Sequence, residues 1–326
     1  MVQFFFQTTG SGVMKIYDQP SKSVAILLCT MQGQIYLREQ LDSIVSQTHH
    51  NWTIWVSDDG SNDNTHTILN EYLVKLGESK LIINSGPSAG FVANFLSLAC
   101  KDSITADYYA FADQDDVWEV DKLEHALHWL QTLPSQLPAL YCGRTRSVDA
   151  SNKDLGFSPL FAKQPCFTNA LVQSIAGGNT MLFNNAARRL LLKAGPEVNV
   201  VSHDWWVYMI VSGCGGHVFY DPTPKVRYRQ HGNNLVGVKK GFAAGIVRIR
   251  MLVNRRFEHW NDLNLAALQS MRKYLSPENK VALDEFTRAR KNTFYKRLVG
   301  LKHSGIHRQT FLGNIGLIAA GILKKI

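Results

Sequence analysis

The most chemically suggestive part of the sequence is the acidic string FADQDDVW at 111–118. Its three carboxylates, Asp113, Asp115 and Asp116, fall within four positions and repel one another at short range. A divalent cation relieves such repulsion, and carboxylate oxygens are the ligands that Mg²⁺ and Mn²⁺ prefer. The alternative interpretation is an acidic turn ahead of a helix, because a short acidic motif alone is weak support for a metal site.

Two further acidic positions could contribute to the same chemistry. Asp59, in the string VSDDGS at 56–61, follows a β-rich run, and its carboxylate could accept a hydrogen bond from the N3–H of a pyrimidine base. Asp204, in HDWW at 203–206, lies at a predicted helix start beside aromatic residues and could act as a general base. An ordinary turn and an ordinary acidic residue in a first helical turn are the respective alternatives.

The string RYRQHGNN at 227–234 adds cationic and imidazole groups. Arg229 could contact a phosphate, and His231 could contact a phosphate or a metal. A cationic loop that faces solvent is the alternative. Each of these strings is ambiguous alone, so their combination and order carry the interpretation.

The first half of the chain alternates between short apolar runs and amphipathic helical stripes. Strands are predicted at 23–29, 52–57, 81–83 and 107–112. This alternation predicts an α/β fold with a Rossmann-like, mostly parallel central sheet flanked by helices. Because ligands of such sheets bind beyond the carboxyl ends of the strands, the strings DDGS and DQDD should converge on one crevice.

The pattern is looser after about residue 143. Gly177-Gly178-Asn179 predicts a close backbone approach before a strand at 180–183. Further elements are predicted as helices at 185–194 and 203–212, and as a pair of strands at 218–220 and 225–228.

Composition excludes fibrous and disordered classes, since hydrophobic residues make up 45% and charged residues 19% of the 326-residue chain. The five cysteines are scattered and form no CxxC pair, which argues against a disulfide framework or a zinc site and predicts a cytoplasmic protein with reduced thiols. The first residues lack the features of a signal peptide.

The net charge of +9 is concentrated towards the C-terminus. Residues 239–326 hold 18 Lys and Arg against 5 Asp and Glu, whereas the remainder holds 17 against 21. A basic region of this kind attracts anionic membranes or nucleic acids, although a solvated helical surface is an equal alternative. The apolar segment 311–323 is shorter than the ~20 residues of a spanning helix, which leaves an interfacial helix or a packed terminal helix.

Taken in order, these strings resemble family 2 glycosyltransferases with the GT-A fold, and most closely bacterial rhamnosyltransferase-like enzymes. The resemblance begins with AILLCTMQGQIYLREQLDSIVSQT at 25–48 and ends with YRQHGNN at 228–234. It implies an N-terminal extension at 1–22, a GT-A catalytic domain at 23–238 and a basic helical C-terminal extension at 239–326. The opening motif departs from the family's usual Tyr-Asn-Gly, because Met31-Gln32-Gly33 stands here.

The resemblance also implies a role for each candidate residue in an inverting, metal-dependent transfer. Asp204 would be the catalytic base, and Mn²⁺ or Mg²⁺ would be the cofactor. The remaining roles fall into two groups: nucleotide-sugar contacts at Thr30, Asp59, Asp113, Gly178 and Arg229, and metal contacts at Asp115, Asp113 and His231.

The implied donor is a dTDP- or UDP-sugar, with dTDP-L-rhamnose as the leading candidate, and the acceptor is a saccharide or lipid-linked saccharide of O-antigen or capsule type. We expect peripheral contact with an anionic membrane through the basic C-terminal region, and we expect no nucleic-acid partner. The alternatives are a transferase that uses a UDP-hexose, a non-catalytic GT-A-like domain that binds a nucleotide or glycan, and a nucleotidyltransferase. The last requires a Gly-rich basic loop after the first strand, where this chain has CTMQGQIYL.

Overall fold

The computed structural model describes residues 21–231 and 255–326. Its largest element is a seven-stranded sheet. In chain order its strands are β1 (Val24–Thr30), β2 (Trp52–Asp58), β3 (Leu81–Ser85), β4 (Tyr108–Ala112), β6 (Ala139–Gly143), β9 (Leu182–Asn184) and β10 (His217–Asp221). The spatial order is β10-β6-β9-β4-β1-β2-β3. β9 is antiparallel to both of its neighbours, and all other pairs are parallel.

Helices cover both faces of this sheet. Within residues 21–231 they are α1 (Leu37–Val45), α2 (Thr65–Leu76), α3 (Phe91–Ala99), α4 (Lys122–Leu130), α5 (Phe167–Ala170), α6 (Asn185–Ala194) and α7 (His203–Gly213). Successive residues of β1 alternate between two hydrophobic clusters, with Leu27 in one and Ile26 and Leu28 in the other. Both faces of the strand are therefore buried, which explains its unbroken run of apolar residues. The predicted α/β fold with a mostly parallel sheet is confirmed.

A second sheet of four short strands lies at the carboxyl end of the first. Its strands are β5 (Val117–Trp118), β7 (Arg146–Val148), β8 (Asp154–Phe157) and β11 (Val226–Arg229), in the order β5-β11-β7-β8. The predicted pairing of 218–220 with 225–228 is wrong, because β10 pairs with β6 while β11 pairs with β5 and β7. Pro222 and Pro224 stand between the two strands, and neither has the N–H that a hairpin ladder needs.

Most other predicted elements agree with the structure to within two residues. The strands predicted at 23–29, 52–57, 81–83 and 107–112 correspond to β1 to β4, and the helix at 185–194 corresponds to α6. The strand predicted at 180–183 is shorter, because a 3₁₀ turn at Gly178–Thr180 precedes β9. This turn contains Gly178 and Asn179 of the GGN string.

The C-terminal part consists of four helices, α8 (Arg256–Ser270), α9 (Pro277–Lys291), α10 (Phe294–His303) and α11 (Phe311–Ile322), with a 3₁₀ turn at Arg272–Tyr274. Buried residues such as Leu268, Phe286 and Leu301 belong to the same hydrophobic cluster as one face of the main sheet. The first part of the predicted basic helical extension, residues 239–254, lies outside the described residues. Within the described ranges, no helix has both the length and the apolar character needed to cross a bilayer.

Candidate active site

The acidic string leaves the main sheet at the end of β4 and enters the second sheet at β5. The side chain of Gln114 ties this loop to the loop that follows β1. Its amide exchanges two hydrogen bonds with the backbone of Met31, one donated by Nε2 to the carbonyl and one accepted by Oε1 from the N–H, each 2.8 Å long. A Cβ at Gly33 would lie 2.5 Å from Gln114 Oε1, so only glycine leaves room for this contact.

The departure from the family's opening motif has a visible structural consequence. Gln32 adopts a positive φ of 53°, and its amide nitrogen donates to Asn62 Oδ1 at 2.8 Å. Its backbone N–H donates to Ser61 Oγ, also at 2.8 Å. The longer side chain therefore bonds to the loop after β2 and joins it to the loop after β1.

Asp58, the first acid of DDGS, stabilises the loop in which it lies. Its carboxylate accepts hydrogen bonds from Thr30 Oγ1 at 2.7 Å, from Ser61 Oγ at 2.6 Å and from the Ser61 N–H at 2.8 Å. Burial alone would raise the pKa of Asp58, but these hydrogen bonds outweigh it and hold the pKa below its usual range. Thr30 thus lies at the strand end as predicted, with its hydroxyl engaged by Asp58.

Asp59, the second acid, faces the opposite way, towards the start of α3. Its Oδ1 accepts from the Ser88 N–H at 2.7 Å and its Oδ2 from the Gly90 N–H at 3.1 Å. The side chain is buried, at 7% exposure. Each carboxylate oxygen can accept more than one hydrogen bond, so this arrangement fixes the carboxylate and leaves acceptor capacity for a ligand.

Asp113, the first acid of DQDD, is influenced by the carboxylates around it. Burial raises the pKa of Asp113 well above its usual range, and the charges of Asp116, Asp115 and Asp204 raise it further. Asp204 lies on a different element, far along the chain, and nevertheless acts on the same group. Asp115, Asp116 and Asp204 therefore all lie within electrostatic range of Asp113.

Asp204 is held in the first turn of α7, a helix whose other residues are all buried. Its Oδ1 accepts a hydrogen bond from the Trp205 N–H at 2.6 Å and another from the hydroxyl of Ser202. The side chain itself is half-buried. A rigid helix thus presents one partly accessible carboxylate to the acidic loop, and its second oxygen stays outside these contacts.

The GGN string lies directly beside this helix. A Cβ at Gly178 would lie 2.4 Å from Nε2 of His203, so the histidine ring occupies the space that any side chain at 178 would need. Asn179 Nδ2 donates to Asp116 Oδ2 at 2.5 Å. This string therefore supports the helix start and the acidic loop together, and the expected lining of a sugar pocket by Gly178 remains a prediction.

His203 was not singled out from the sequence, and its environment is unusual for a histidine. Its ring stacks on Phe95, with the ring centroids 3.9 Å apart, and meets the edge of Phe111 at 4.8 Å. The side chain is 5% exposed, and neither ring nitrogen has a hydrogen-bond partner among the described residues. Burial lowers the pKa of His203 to about 4, although the charge of Asp204 acts in the opposite direction.

Arg229 is buried beneath the acidic loop and stabilises it. Its side chain is 1% exposed, and its guanidinium donates to the carbonyls of Asp115 and Ala150 at 3.0 Å each and pairs with Glu39 of α1. Its backbone N–H donates to Asp116 Oδ1 at 3.2 Å. These bonds favour a positioning role for Arg229 over direct contact with a phosphate, and they identify Glu39 as a supporting residue that sequence reasoning missed.

His231 forms a hydrogen bond with Asp115, with 2.7 Å between Nε2 and Oδ2. Its ring also lies against Tyr36, at 5.1 Å between centroids. Within residues 21–231 and 255–326, no three His, Cys, Asp or Glu side chains are grouped so as to hold an ion by themselves. Mg²⁺ sites, however, commonly use one or two carboxylates completed by substrate phosphates and water, and the Asp115 carboxylate fits that pattern.

The sequence also matches a known protein family. Residues 25–191, slightly more than half of the chain, match the family described as glycosyl transferase family 2. The chain belongs to this glycosyltransferase family. The enzyme is therefore a transferase of sugars, related to a rhamnosyltransferase.

Two curated relatives support this membership. The enzyme is 30% identical over 243 residues to the dTDP-rhamnosyl transferase RfbG of Shigella flexneri, covering 70% of this chain and 80% of the relative. It is 32% identical over 222 residues to the uncharacterized glycosyltransferase RP339 of Rickettsia prowazekii, covering 65% of each chain.

Solved structures support the fold of this family 2 enzyme. S. aureus TarS residues 1–349 in complex with UDP gives a TM-score of 0.50 at 12% identity, covering 93% of this chain and 89% of that one. GalNAc-T7 with UDP, GalNAc and Mn²⁺ gives 0.52 at 10% identity, covering 90% and 56%. At these identities the similarity concerns the fold alone.

The buried His203 makes the stability of the enzyme depend on pH. The ordinary pKa of 6.5 applies in the unfolded chain, whereas the folded protein holds the ring neutral down to about pH 4. The unfolded state therefore binds more protons between these values, and stability falls as pH decreases. We expect this group alone to remove about 2 kcal/mol of unfolding free energy between pH 7 and pH 5.

Urea unfolding of the wild type and of His203→Leu at both pH values measures this contribution. The His203→Leu variant should lose about 2 kcal/mol less than the wild type over that interval. His50→Leu, at an exposed histidine, is the matched control and should behave as the wild type. Equal pH dependence in wild type and His203→Leu would contradict the assignment.

Proposed function

We propose that this enzyme transfers L-rhamnose from dTDP-L-rhamnose to an acceptor hydroxyl, with inversion at the anomeric carbon. The observation that carries the proposal is that Asp204, at the start of a buried helix, lies within electrostatic range of Asp113, which also senses Asp115 and Asp116. The choice of donor is supported by the 30% identity to the dTDP-rhamnosyl transferase of Shigella flexneri. Surface polysaccharide of O-antigen or capsule type is the proposed product.

Asp204 is the proposed general base. Its carboxylate takes the proton of the acceptor hydroxyl while that oxygen attacks the anomeric carbon from the face opposite the diphosphate. The C–O bond to the diphosphate breaks in the same step, so the bonding electrons leave with the nucleotide. The fixed position of Asp204 at the start of a buried helix supports this role, because general bases work best when held within hydrogen-bond reach of the proton.

The remaining acids and His231 are proposed to face the nucleotide end of the donor. Asp113 would lie nearest the ribose, and Asp115 with His231 would hold Mn²⁺ or Mg²⁺. Such a cation, when bound, supplies positive charge to the departing diphosphate. The raised pKa of Asp113 supports the assignment. Burial is its main cause, and a cation would relieve the repulsion by neighbouring carboxylates that adds to it.

Base recognition is proposed for the loops after β1 and β2. Asp59 would accept the N3–H of thymine or uracil, with Thr30 at the neighbouring strand end and the Gly178 backbone lining the sugar pocket. Arg229 would contribute through the loop that it supports, rather than by touching the donor. The bonds through which Gln32 and Gln114 join three loops support a pocket whose shape is set before the donor binds.

A saccharide or lipid-linked saccharide is the proposed acceptor, at the inner face of the cytoplasmic membrane. The basic excess of residues 239–326 supports a peripheral contact with that surface.

Replacement of the base tests the mechanism directly. Asp204→Asn keeps the shape of the side chain but removes its ability to accept a proton, so kcat should fall by about 10²–10⁴-fold. Donor binding, measured by calorimetry, should stay near the wild-type value. Asp102→Asn, at an exposed loop position, is the matched control and should retain full turnover. A wild-type kcat in Asp204→Asn would remove Asp204 from the mechanism.

Chelation tests the metal. EDTA should abolish transfer, and Mn²⁺ or Mg²⁺ should restore it, because the diphosphate would otherwise leave beside an uncompensated acidic cluster. Calorimetric titration of Mn²⁺ with dTDP present gives a second readout. Asp115→Asn should weaken this binding at least about tenfold, whereas Asp102→Asn should not. Full activity in the chelator would contradict metal dependence.

A donor comparison tests the sugar. With dTDP-L-rhamnose, UDP-glucose, UDP-galactose and UDP-GlcNAc supplied separately in one metal buffer, nucleotide release should show the highest kcat/KM for dTDP-L-rhamnose, by about tenfold or more. A preference for any UDP-hexose would replace rhamnose in the proposal and leave the transferase assignment intact. Binding without release for all four donors would instead favour a non-catalytic domain.

A further inference from the structure

The helix α11 exposes an entirely apolar face. Six large hydrophobic side chains at its surface and C-terminal end are 45–79% exposed, namely Phe311, Leu312, Ile315, Ile318, Ile322 and Leu323. We call these six residues the α11 face. The helix has one polar residue, Asn314, and its amide turns inward to donate to the carbonyl of Arg308 at 2.8 Å. An apolar surface of this kind is unusual on a protein that meets only water.

The opposite side of α11 is anchored to the rest of the enzyme. Ala320 and Gly321 are buried, and Leu317 packs against the main hydrophobic cluster. Arg297 of α10 donates to the carbonyl of Gly321 at 2.8 Å, and a Cβ at that glycine would lie 2.7 Å from Leu301. The close approach fixes the rotation of the helix, so the outward direction of the α11 face is a property of the packed structure.

The stretch of sequence that carries this face is basic. Residues 291–326 contain seven Lys and Arg and no Asp or Glu. Lys302 at the end of α10 and Lys324 just beyond α11 are exposed. Two copies docked face to face would bring two such cationic segments together, which opposes self-association. The surface is therefore complementary to a partner that has anionic groups at its surface and an apolar interior.

The length of α11 limits how such an occupant can be contacted. Twelve residues of α-helix extend about 18 Å, well short of the ~30 Å hydrocarbon thickness of a bilayer. The helix is therefore suited to lie along a surface, with its apolar side in the acyl boundary and its cations among the headgroups.

We propose that the α11 face is a docking surface for an anionic phospholipid bilayer. The inference deepens the lipid-linked acceptor of the proposed function, because docking would bring the catalytic domain to the surface where such an acceptor lies. It rests on the apolar face and the surrounding charge, and it does not require a particular donor sugar.

Vesicle flotation of the full chain, without donor or acceptor, tests the proposal. Binding to phosphatidylcholine vesicles with about 30 mol % phosphatidylglycerol should exceed binding to pure phosphatidylcholine by about tenfold or more. The triple variant Leu312→Gln, Ile315→Gln, Ile318→Gln should bind the anionic vesicles at least about tenfold more weakly. Glutamine favours helix, and these side chains are already exposed, so folding should be retained.

Two further variants complete the design. Val74→Gln combined with Val281→Gln changes outward-facing apolar residues on other helices and should bind as the wild type. Lys302→Gln combined with Lys324→Gln should reduce anionic-vesicle binding by about tenfold while leaving the apolar face intact. Thermal unfolding of every variant confirms that the comparison concerns folded protein.

Three outcomes would overturn the proposal: no binding to either vesicle, equal binding by wild type and triple variant, or equal affinity for neutral and anionic vesicles. Concentration-dependent dimers that the triple variant abolishes, without vesicle binding, would assign the face to a second copy instead. Turnover of the donor in vesicle-free solution tests the proposed function separately from membrane docking. If the enzyme assignment is right and only the membrane proposal is wrong, all variants should retain this turnover.

Discussion

The site depends on the mutual repulsion of carboxylates held close together at the end of one buried strand. Asp115 and Asp116 of the same loop and Asp204 of a distant helix all raise the pKa of the partly buried Asp113, where burial alone already disfavours charge. Such an arrangement persists only if the surrounding structure fixes it. Asn179 and the Arg229 backbone bond to Asp116, His231 pairs with Asp115, and Gln114 clamps the loop to its neighbour.

The order of strands in the parallel sheet explains how these loops come together. Strands β4, β1 and β2 lie side by side with their carboxyl ends at one edge, so three loops far apart in sequence emerge together. The second sheet then returns β11 beside β5, which carries Arg229 and His231 back to the acidic loop. The main sheet thus brings the acidic loops to one edge, and the small sheet supplies groups that stabilise the DQDD loop.

The sequence predicted the elements whose physical signal is local. Strands buried on both faces are continuous apolar runs, so β1 to β4 were found within two residues of their bounds. Of the second sheet only β11 was predicted, at 225–228 and with the wrong partner, because strands of two to four residues are too short for any periodicity to appear. Arg229 was expected at a ligand because a guanidinium can bind phosphate. Its burial is explained by contacts between distant parts of the chain, namely the pairing with Glu39 and the bonds to the carbonyls of Asp115 and Ala150. The position of Asp204 near the DQDD acids was anticipated through motif order, whereas the neighbouring His203 carries no sequence signal that distinguishes a stacked ring from a solvated one.

The contact between Gly178 and His203 links the identities of two positions that belong to different motifs. The ring fills the volume that a side chain at 178 would take, so a relative with alanine or serine at that point must carry a smaller or differently oriented residue where His203 stands. Changes at the two sites should therefore arise in pairs rather than independently. Because the next residue along the helix is Asp204, such a paired change would shift the proposed base relative to the sugar, and it offers a route by which this scaffold could diverge towards other acceptors.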